Sequence, residues 1–513
     1  MAGGRLTDQI ALGVLAASVP GDAVDDAIAV TGRQARRRDG KLPPHVMVYF
    51  AMAMALFAGE DYEEVAARLA GALTSWSCWD ASWAVPASGG ITLARQRLGW
   101  EPLRELLAAV GQPVAELLTR GAFLAGWRLM SIDGFEWDAP DTRENAAWFG
   151  YAGNAGGDPG RPAFPKVRVV TVTECGSHAV ADAEIGGVTG KGAGERTLAR
   201  RLYGRLAGDW LLLADRNFYG WEDWCAAADS GAQLLWRVRS DLRLPVIQAQ
   251  RDGSYVSVLV SPKVTGRARD QLAGAARAGE DLDPGRARYV RVIEYDIPDR
   301  DGDGKGELIA LVTTVTEWER APAAELAEAY FQRWEHEAGN DQIKTHLRGP
   351  GRVLRSRSPD MVRQEIYGYL LARHAVSALI CQAATEADID PDRVKFTRAV
   401  RIIRRAIAPA AFPPLSTPMK PGQPSRRRSP ASGTSTPSDA SAPIRGPSSA
   451  PGTTPTASAD PATRAHVTPP RPRSGWSTCP PQLDQLRLSG IGSRPEDWTR
   501  NASSNSHLSW TAD

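Results

Sequence analysis

Apolar positions in the first part of the chain recur at steps of three and four residues. The segments DAVDDAIAVTG and VMVYFAMAMALFAGEDYEEVAARLAGAL show this spacing, which is typical of helices. Pro20-Gly21, Pro43-Pro44 and Gly59 interrupt the spacing and predict helix ends. The apolar run from Val46 to Ala58 is shorter than the roughly 20 residues that span a bilayer, so we interpret it as a buried helix. The pattern predicts an all-α N-terminal domain over residues 1–118.

From about residue 126 the apolar period changes to two, which is typical of strands. The strands at residues 166–174 and 178–187 are predicted to form a hairpin around Cys175-Gly176. The predicted strands are residues 127–133, 166–174, 178–187, 209–218 and 232–240. Helical spacing at residues 195–206 and 220–231 separates the later strands. Strands that first follow one another and then alternate with helices predict an α/β fold with a mixed sheet.

A second β-rich stretch follows at residues 241–315, where the segments LPVIQAQ, SYVSVLVSP, RYVRVIEYDI and ELIALVTTVTEW predict a β-strand insertion subdomain. Helices predicted at residues 322–347 and 359–386 complete a second domain, which we place at residues 119–412. After Phe412 the composition changes to Pro, Ser, Thr, Ala, Gly and Arg without an apolar period. Such a segment cannot bury enough apolar surface to order itself, so we predict a disordered tail over residues 413–513.

Positive and negative charges are nearly balanced over the whole chain. Lys and Arg number 61 against 59 Asp and Glu, for a net charge of +2, so any surface for nucleic acid must be a local patch. Two basic segments, residues 33–38 and 92–99, could meet a DNA backbone or could be ordinary solvated surface. The 5 cysteines are scattered and form no CxxC pair, which argues against a disulfide framework or a zinc site. Together with the missing leader segment, this favours the cytoplasm.

A cluster of charged and aromatic residues lies on the helix predicted at residues 322–347. Tyr330, Arg333, Glu337 and Lys344 project from nearly one face at 100° per residue. A carboxylate flanked by cations can bind a metal ion and a phosphodiester together. A solvated helix face with ordinary ion pairs is the alternative interpretation.

Two aspartates extend this pattern. Asp133 and Asp215 each terminate an apolar strand, where neighbouring strands would bring their carboxylates within reach of a shared cation. With Glu337 they form a set of three carboxylates, which suits two Mg²⁺ (or Mn²⁺) ions in a phosphoryl-transfer site. Each aspartate alone could equally be a turn residue after a strand.

The spacing of these residues resembles that of the DDE transposases of the bacterial insertion-sequence-four family. The residues that carry the resemblance are Asp133-Gly134, Asp138, Asp141-Thr142, Asn145, Phe149-Gly150, Asp215-Arg216 and the series Tyr330-x2-Arg333-x3-Glu337-x6-Lys344. The resemblance implies an RNase H-like domain and an N-terminal helical domain that helps to bind DNA. It also implies that Asp133, Asp215 and Glu337 are metal ligands. Tyr330, Arg333 and Lys344 would then contact DNA near the cleaved end.

The function that the resemblance implies is cut-and-paste transposition. The expected partners are the terminal inverted repeats and the target DNA, with at least a dimer holding two ends together and no membrane association. We add Arg352 and Arg355, in the basic loop after the helix, as predicted DNA contacts. Two alternatives remain at this stage: a stand-alone RNase H-like nuclease, and a silent DNA-binding remnant of a decayed element.

Overall fold

The computed structural model describes residues 18–35, 42–75, 84–153, 162–297, 307–349, 351–407 and 487–488. The predicted disordered tail, residues 413–513, lies outside the described residues except for the short strand Arg487–Leu488.

Helices occupy the described part of the N-terminal region, as predicted. Their bounds are α1 (Gly21–Val30), α2 (Pro44–Leu56), α3 (Tyr62–Ser75), α4 (Ser88–Leu98) and α5 (Glu101–Val110). Pro44 stands in the first turn of α2, where its missing N–H costs nothing. Every residue of α2 from Val46 to Leu56 is buried, which confirms the buried helix predicted from its continuous apolar run.

A single mixed sheet follows the helices. Its strands are β1 (Phe123–Leu124), β2 (Trp127–Asp138), β3 (Lys166–Glu174), β4 (Val180–Gly187), β5 (Trp210–Ala214), β6 (Gln233–Val238), β7 (Gln248–Ala249), β8 (Tyr255–Val260), β9 (Ala287–Ile297), β10 (Glu307–Thr313) and β11 (Arg487–Leu488). The strand order is β4-β3-β2-β5-β6-β10-β9-β8-β7, with β1 beside β2 and β11 beside β9. Strands β2, β5 and β6 run parallel, whereas the other pairs are antiparallel. This arrangement, with helices against the sheet, agrees with the predicted α/β, RNase H-like class.

The strands of the predicted insertion extend this sheet. Strand β10 pairs antiparallel with β6, and β9, β8 and β7 follow outward from it. Helix α9 (Gly266–Arg277) lies between β8 and β9 in sequence and contributes Ala276 to a small core with Val258 and Ala287. The insertion therefore continues the central hydrogen-bonding network. Its boundaries at residues 241 and 315 remain a prediction.

Helices pack on both faces of the central strands. The remaining helices are α6 (Arg143–Phe149), α7 (Glu195–Arg200), α8 (Trp221–Ala228), α10 (Ala323–Phe331), α11 (Arg333–Asp341), α12 (Pro359–Glu386) and α13 (Phe396–Ile407). Two short 3₁₀ turns occur at Tyr203–Arg205 and Pro391–Arg393. Side chains of α7 and α8 share a core with Met130, Ile132 and Leu212, whereas α10 packs on the opposite face with Leu129, Leu211 and Leu213. The bounds of α12 agree with the prediction.

The single helix predicted at residues 322–347 is wrong in detail. The segment consists of α10, a turn at Gln332, α11, and a π-helical segment at Gln342–Leu347. A π-helix has a wider turn than an α-helix because its hydrogen bonds join residue i to residue i+5. Residues in the π-helical segment therefore do not keep the 100° spacing on which the prediction of one shared face relied.

The N-terminal helices share one hydrophobic core with the rest of the described chain. Leu56 of α2, Phe135 of β2 and Leu370 of α12 all belong to it. Helix α12 crosses α2 closely at Gly368, where an added Cβ would lie 2.5 Å from the carbonyl oxygen of Ala51. The predicted division at residue 118 therefore does not separate two independent cores.

Candidate active site

Asp133 and Asp215 lie beside each other on neighbouring parallel strands. The last registered pair between β2 and β5 is Ile132 with Ala214, so the two aspartates are the next residues on their strands. Adjacent strands are about 4.8 Å apart, and in-register residues point to the same face. Both side chains are partly exposed. The parallel pairing of β2 and β5 thus places the two carboxylates side by side on one face of the sheet.

The strand that contains Asp133 is longer than predicted. Sequence analysis placed Asp133 at the end of its strand, but β2 continues to Asp138 because residues 133–138 pair with residues 166–171 of β3. Strand β5, in contrast, ends at Ala214, and Asp215 begins a turn in which the Arg216 amide donates to Asp215 Oδ1 at 2.7 Å. Asp133 is therefore held within a ladder, and Asp215 lies at a strand end as expected.

Helix α11 lies directly over Asp133. The Asn340 side-chain amide donates a hydrogen bond to Asp133 Oδ2 at 3.2 Å, and Asn340 is 6% exposed. This donor holds one carboxylate oxygen in a defined direction. Sequence reasoning missed Asn340, although it lies three residues after Glu337 and therefore on the same helix face.

His336 attaches the same helix to two strands. Its Nδ1 lies 2.7 Å from Ser131 Oγ, and its Nε2 lies 2.8 Å from Thr171 Oγ1 and 3.3 Å from Thr173 Oγ1. Burial, together with the nearby positive charges of Arg333 and Arg373, lowers the pKa of His336 to about 3, so the imidazole is neutral. Glu337 lies on α11 between His336 and Asn340, so contacts on both sides hold this turn of the helix against β2 and β3.

Tyr330, on α10, reaches the strand that leads to Asp215, and Arg333, the first residue of α11, lies beside the Tyr330 ring. The Tyr330 hydroxyl donates to the carbonyl oxygen of Ala214 at 3.4 Å, and Arg333 Cζ is 5.9 Å from the centre of the Tyr330 ring. Both side chains are 6% exposed. Burial raises the pKa of Tyr330, with a further increase from Asp215 and an opposing effect of Arg333. The phenol is therefore a neutral donor at physiological pH.

Lys344 approaches the site from the π-helical segment. Its Nζ lies 5.2 Å from the centre of the Phe135 ring, on the face of β2 that carries Asp133. Burial lowers the pKa of Lys344, and the negative charge of Asp133 opposes this effect. Tyr330 thus lies beside the residue that precedes Asp215, and Lys344 lies on the Asp133 face of β2, even though the helix that carries them is interrupted.

Arg352 and Arg355, the predicted DNA contacts of the basic loop, both contact the N-terminal region. Arg355 donates to the carbonyl oxygens of Glu60 at 2.6 Å and Met54 at 3.0 Å, so it satisfies acceptors at the end of α2. Arg352 is exposed and donates to the carbonyl oxygen of Ala58 at 2.8 Å. Their proposed DNA contacts stay predictions.

The basic segment at residues 92–99 includes one arginine, Arg95, that cannot face DNA because it is buried. Arg95, in residues 92–99, is 2% exposed and donates to Gln364 Oε1 at 2.8 Å and to the Tyr62 hydroxyl at 2.6 Å. Arg95 therefore joins α4 to α12 instead of facing solvent. In the other segment, Arg33 pairs with Glu101 at 3.0 Å, and residues 36–38 lie outside the described residues.

A further carboxylate, Glu195, lies against the residue that follows Asp133. A Cβ on Gly134 would overlap the Glu195 carboxylate and would lie 2.8 Å from its Cδ. Burial raises the pKa of the Glu195 carboxyl, the negative charges of Asp133, Glu136 and Asp215 raise it further, and Arg168 opposes them. Sequence reasoning interpreted residues 195–206 only as a basic helix and missed this residue.

Carboxylate oxygens are the donors that hard divalent cations prefer, so Asp133 and Asp215 suit such an ion. Among the described side chains, no three His, Cys, Asp or Glu residues are grouped closely enough to hold a metal. The side chain of Glu337, the predicted third ligand, is outside that set.

Within the described residues, no helix has the length and apolar character needed to cross a membrane.

Comparison with known proteins identifies the family. Residues 9–108 match the family model described as Insertion element 4 transposase N-terminal, and residues 126–374 match Transposase DDE domain. The chain is 28% identical over 380 residues to Transposase InsG for insertion sequence element IS4 of Escherichia coli (strain K12), an alignment that covers 72% of this chain and 77% of that protein.

A solved structure, the cryo-EM piggyBac transposase synaptic complex with hairpin DNA, is similar with a TM-score of 0.39 and 10% identity, over 80% of this chain and 84% of that one. DDE transposases generally use divalent metal ions and act on DNA. On the strength of the two family models and the InsG similarity, this chain belongs to the insertion-sequence-four family of DDE transposases, enzymes that cleave DNA and transfer its strands.

Proposed function

We propose that Asp133, Asp215 and Glu337 are the catalytic carboxylates of a cut-and-paste transposase that excises and integrates an insertion element by binding its terminal inverted repeats. The observation that carries the proposal is the in-register position of Asp133 and Asp215 on β2 and β5. Support for Glu337 comes from its neighbours on α11, because His336 contacts β2 and β3 and Asn340 contacts Asp133.

These three carboxylates would hold two Mg²⁺ (or Mn²⁺) ions, for which their oxygen donors are suited. When bound, the ions activate the attacking oxygen and stabilise the leaving oxygen of an in-line phosphoryl transfer. The protein's own contribution is to place the carboxylates. The ladder with β3 holds the backbone of Asp133, and the Asn340 amide orients its side chain.

Each step exchanges one phosphorus–oxygen bond for another. A water oxygen bonds to phosphorus at the element end, and the 3′ oxygen leaves and takes up a proton. As the family resemblance implies, the freed 3′ oxygen then bonds to a phosphorus of the opposite strand and closes a hairpin, while the 3′ oxygen of the flanking DNA leaves and takes up a proton. A second water oxygen bonds to the same phosphorus, and the element's 3′ oxygen leaves again and reopens the hairpin. Finally the 3′ oxygen bonds to a target phosphorus while the target's own 3′ oxygen leaves.

The cationic residues around the aspartates would bind the DNA. Arg333 and Lys344 offset phosphate charge, and Tyr330 contacts a nucleotide near the cleaved end. Because the side chains of Tyr330 and Arg333 are nearly buried, the DNA would have to come close to the end of β5 to contact them. Arg352 is the more accessible of the two loop arginines, and Arg355 would contact DNA from the end of α2.

The assembly that this function requires is at least a homodimer, because two element ends must be held together before they join target DNA. Each protomer would carry one set of Asp133, Asp215 and Glu337. We place this reaction in the bacterial cytoplasm, at the nucleoid, where the element resides.

The proposal is tested with purified full-length protein, Mg²⁺ and labelled inverted-repeat DNA. We expect Asp133→Asn, Asp215→Asn and Glu337→Gln each to reduce cleavage at least ~1,000-fold while binding to the DNA end persists. Asp241→Asn is the matched control, because Asp241 is exposed and pairs with Arg239 on the surface.

Cleavage by the three variants at the wild-type rate would contradict the site assignment. Equal cleavage of random DNA would instead favour a stand-alone nuclease. End binding by the wild type without any cleavage would favour a silent remnant.

A further inference from the structure

Three arginines line one cavity of about 260 Å³ beside the π-helical segment. Arg348 directly follows that segment, Arg352 belongs to the basic loop, and Arg404 lies on α13. Residues 56–60, at the end of α2 and just after it, form a further part of the wall. The loop can bring Arg352 back beside Arg348 because Gly349 has a φ of +94°, in the left-handed region that favours glycine.

The positive charge in this cavity is not balanced by the protein. Within the described residues, none of the three guanidinium groups forms an ion pair. Glu60 is the one acid in the described wall, and its Oε1 already pairs with Arg68 at 3.3 Å. Arg352 and Arg404 donate to backbone carbonyl oxygens at and just after the end of α2. These acceptors fix the direction of the guanidinium groups but leave their charges uncompensated, and like charges repel strongly where water is partly excluded.

The side chain of Arg348 makes no hydrogen bond within the described residues. Its Nε and Nη1 are buried without a partner, and Nη2 is the nitrogen outside that buried set. Its Cζ lies 5.4 Å from the centre of the Trp137 ring, so a cation–π contact holds the group in place. Burial lowers the pKa of Arg348, and Tyr369, Asp138 and Glu365 oppose this effect. An anion at Nη2 would compensate the charge of the whole guanidinium, because that charge is delocalised over its nitrogens.

Cations follow β2 away from Asp133 and toward this cavity. Asp133, Phe135 and Trp137 point to the same face, because side chains alternate along a strand. Lys344 Nζ lies 5.2 Å from the Phe135 ring centre, and Arg348 Cζ lies over Trp137, the next residue on that face. At ~3.4 Å per residue, Trp137 is roughly 14 Å from Asp133. A DNA strand carries one phosphate per ~3.4 Å of duplex axis, so a strand that follows β2 from Asp133 would bring a phosphate to the cavity after about four nucleotides.

We propose that Arg348, Arg352 and Arg404 form a binding pocket for one backbone phosphate of the element-end DNA, about four nucleotides from the cleaved phosphate. Guanidinium groups suit this ligand, because they form charge-assisted hydrogen bonds with phosphate oxygens. Such a contact reads no bases and instead fixes the register of the DNA strand relative to Asp133. The inference rests on the proposed function, since it takes the cleaved end to lie at Asp133, and it adds Arg348 and Arg404 to the DNA contacts proposed there.

The test is binding of the full-length protein, without divalent metal, to inverted-repeat DNA that carries a single uncharged methylphosphonate linkage. The linkage is moved along each strand from roughly two to six nucleotides beyond the cleaved phosphate. We expect one linkage position to weaken wild-type binding about tenfold. Arg348→Gln and Arg404→Gln should each bind unmodified DNA about tenfold more weakly, but that linkage should then cost them less than about a further twofold.

Arg405→Gln is the matched control, because Arg405 is an exposed arginine on α13 that does not line the cavity. This variant should keep the wild-type sensitivity to the same linkage. Because Arg348 packs on Trp137, Arg404→Gln provides a second measurement on a different helix if Arg348→Gln does not fold.

Three results would overturn the inference. One is wild-type binding that no linkage in this range weakens, and another is full sensitivity to the linkage in Arg348→Gln and Arg404→Gln. The third is binding of inorganic phosphate that Arg348→Gln abolishes, without sensitivity to any linkage, which would assign the pocket to a free anion. Because this assay contains no metal, such results would leave the cleavage test of the carboxylates unaffected. Wild-type cleavage by the carboxylate variants would instead overturn the proposed function, whatever the linkages show.

Discussion

At the scale of single residues, the proposed catalytic carboxylate of Asp133 is oriented by a neighbouring side chain, Asn340. Asn340 is nearly buried and directs its amide to one oxygen of Asp133. An amide carries no charge and does not titrate near neutral pH, so it donates this hydrogen bond over that whole pH range. This hydrogen bond therefore fixes the direction of one oxygen of the Asp133 carboxylate.

We predict that Asn340→Ala lowers the DNA cleavage rate about 10- to 100-fold, the usual cost of losing a partner that orients a ligand. The measurement is single-turnover cleavage of labelled inverted-repeat DNA in excess Mg²⁺. Gln382→Ala is the control, because Gln382 is an exposed amide on α12 that donates only to Glu386 at 3.0 Å. Similar rates for both variants would mean that Asn340 does not orient Asp133.

At the scale of secondary-structure elements, the contact of α11 with β2 and β3 decides where Glu337 stands. Sequence reasoning identified the helix and its charged residues from their spacing. It did not identify His336 as the anchor, because a histidine beside a glutamate carries no signal of what it contacts. Ser131, Thr171 and Thr173 face His336 because strand alternation places them on one side of paired strands.

This anchor makes stability depend on pH. The pKa of His336 is about 3 in the folded protein and near 6.5 when the chain is unfolded, so between these values only the unfolded state binds the proton. The stabilising contribution is complete above pH 6.5 and is lost as the pH falls toward 3. We predict that the proton taken up by His336 on unfolding lowers the free energy of unfolding by about 1.4 kcal/mol per pH unit from about pH 6 down toward pH 3.

The measurement compares thermal unfolding of the wild type and His336→Asn between pH 7 and pH 5. The variant should be less stable at pH 7, because it loses hydrogen bonds to buried hydroxyls, but its stability should fall less steeply toward pH 5. His374, whose pKa burial also lowers, is present in both proteins and contributes equally. An identical slope for the two proteins would show that His336 is not held neutral.

At the scale of the whole molecule, the helical N-terminal region and the sheet are joined by the crossing of α2 and α12. Gly368 permits this crossing, since an added Cβ would lie 2.5 Å from the oxygen and 2.8 Å from the carbon of the Ala51 carbonyl. Both contacts are with backbone, which cannot move aside as a flexible side chain does. The packing of α2 against α12 thus depends on Gly368, a residue with no role in the proposed reaction.

We predict that Gly368→Ala lowers the free energy of unfolding by about 1–3 kcal/mol or more, as overpacking does in a dense core. Gly274→Ala is the matched control, because Gly274 lies in helix α9 with open space around it. That change should be neutral or stabilising by up to about 1 kcal/mol, since alanine favours a helix interior. Chemical denaturation of the three proteins measures the difference, and equal stability of the two variants would contradict the close crossing.

The sequence by itself determined the class of the fold, the order of most elements and the family. Apolar period depends on local geometry, so the change from helical to strand spacing is visible without coordinates. The series from Tyr330 to Lys344 was visible for the same reason. The longer strand β2, the turn at Gln332 and the π-helical segment were not, because they depend on pairing with β3 and on packing against other elements.

Only the tertiary structure decided which side chains meet. Asn340 reaches Asp133, His336 reaches three hydroxyls, and Glu195 lies on Gly134, all across long distances in sequence. Such contacts follow from strand register and from the placement of helices on the sheet, where a shift of one residue turns every side chain to the other face. The chain's sequence specifies its candidate chemistry locally, whereas the register between β2 and β5 makes two separate aspartates into neighbours.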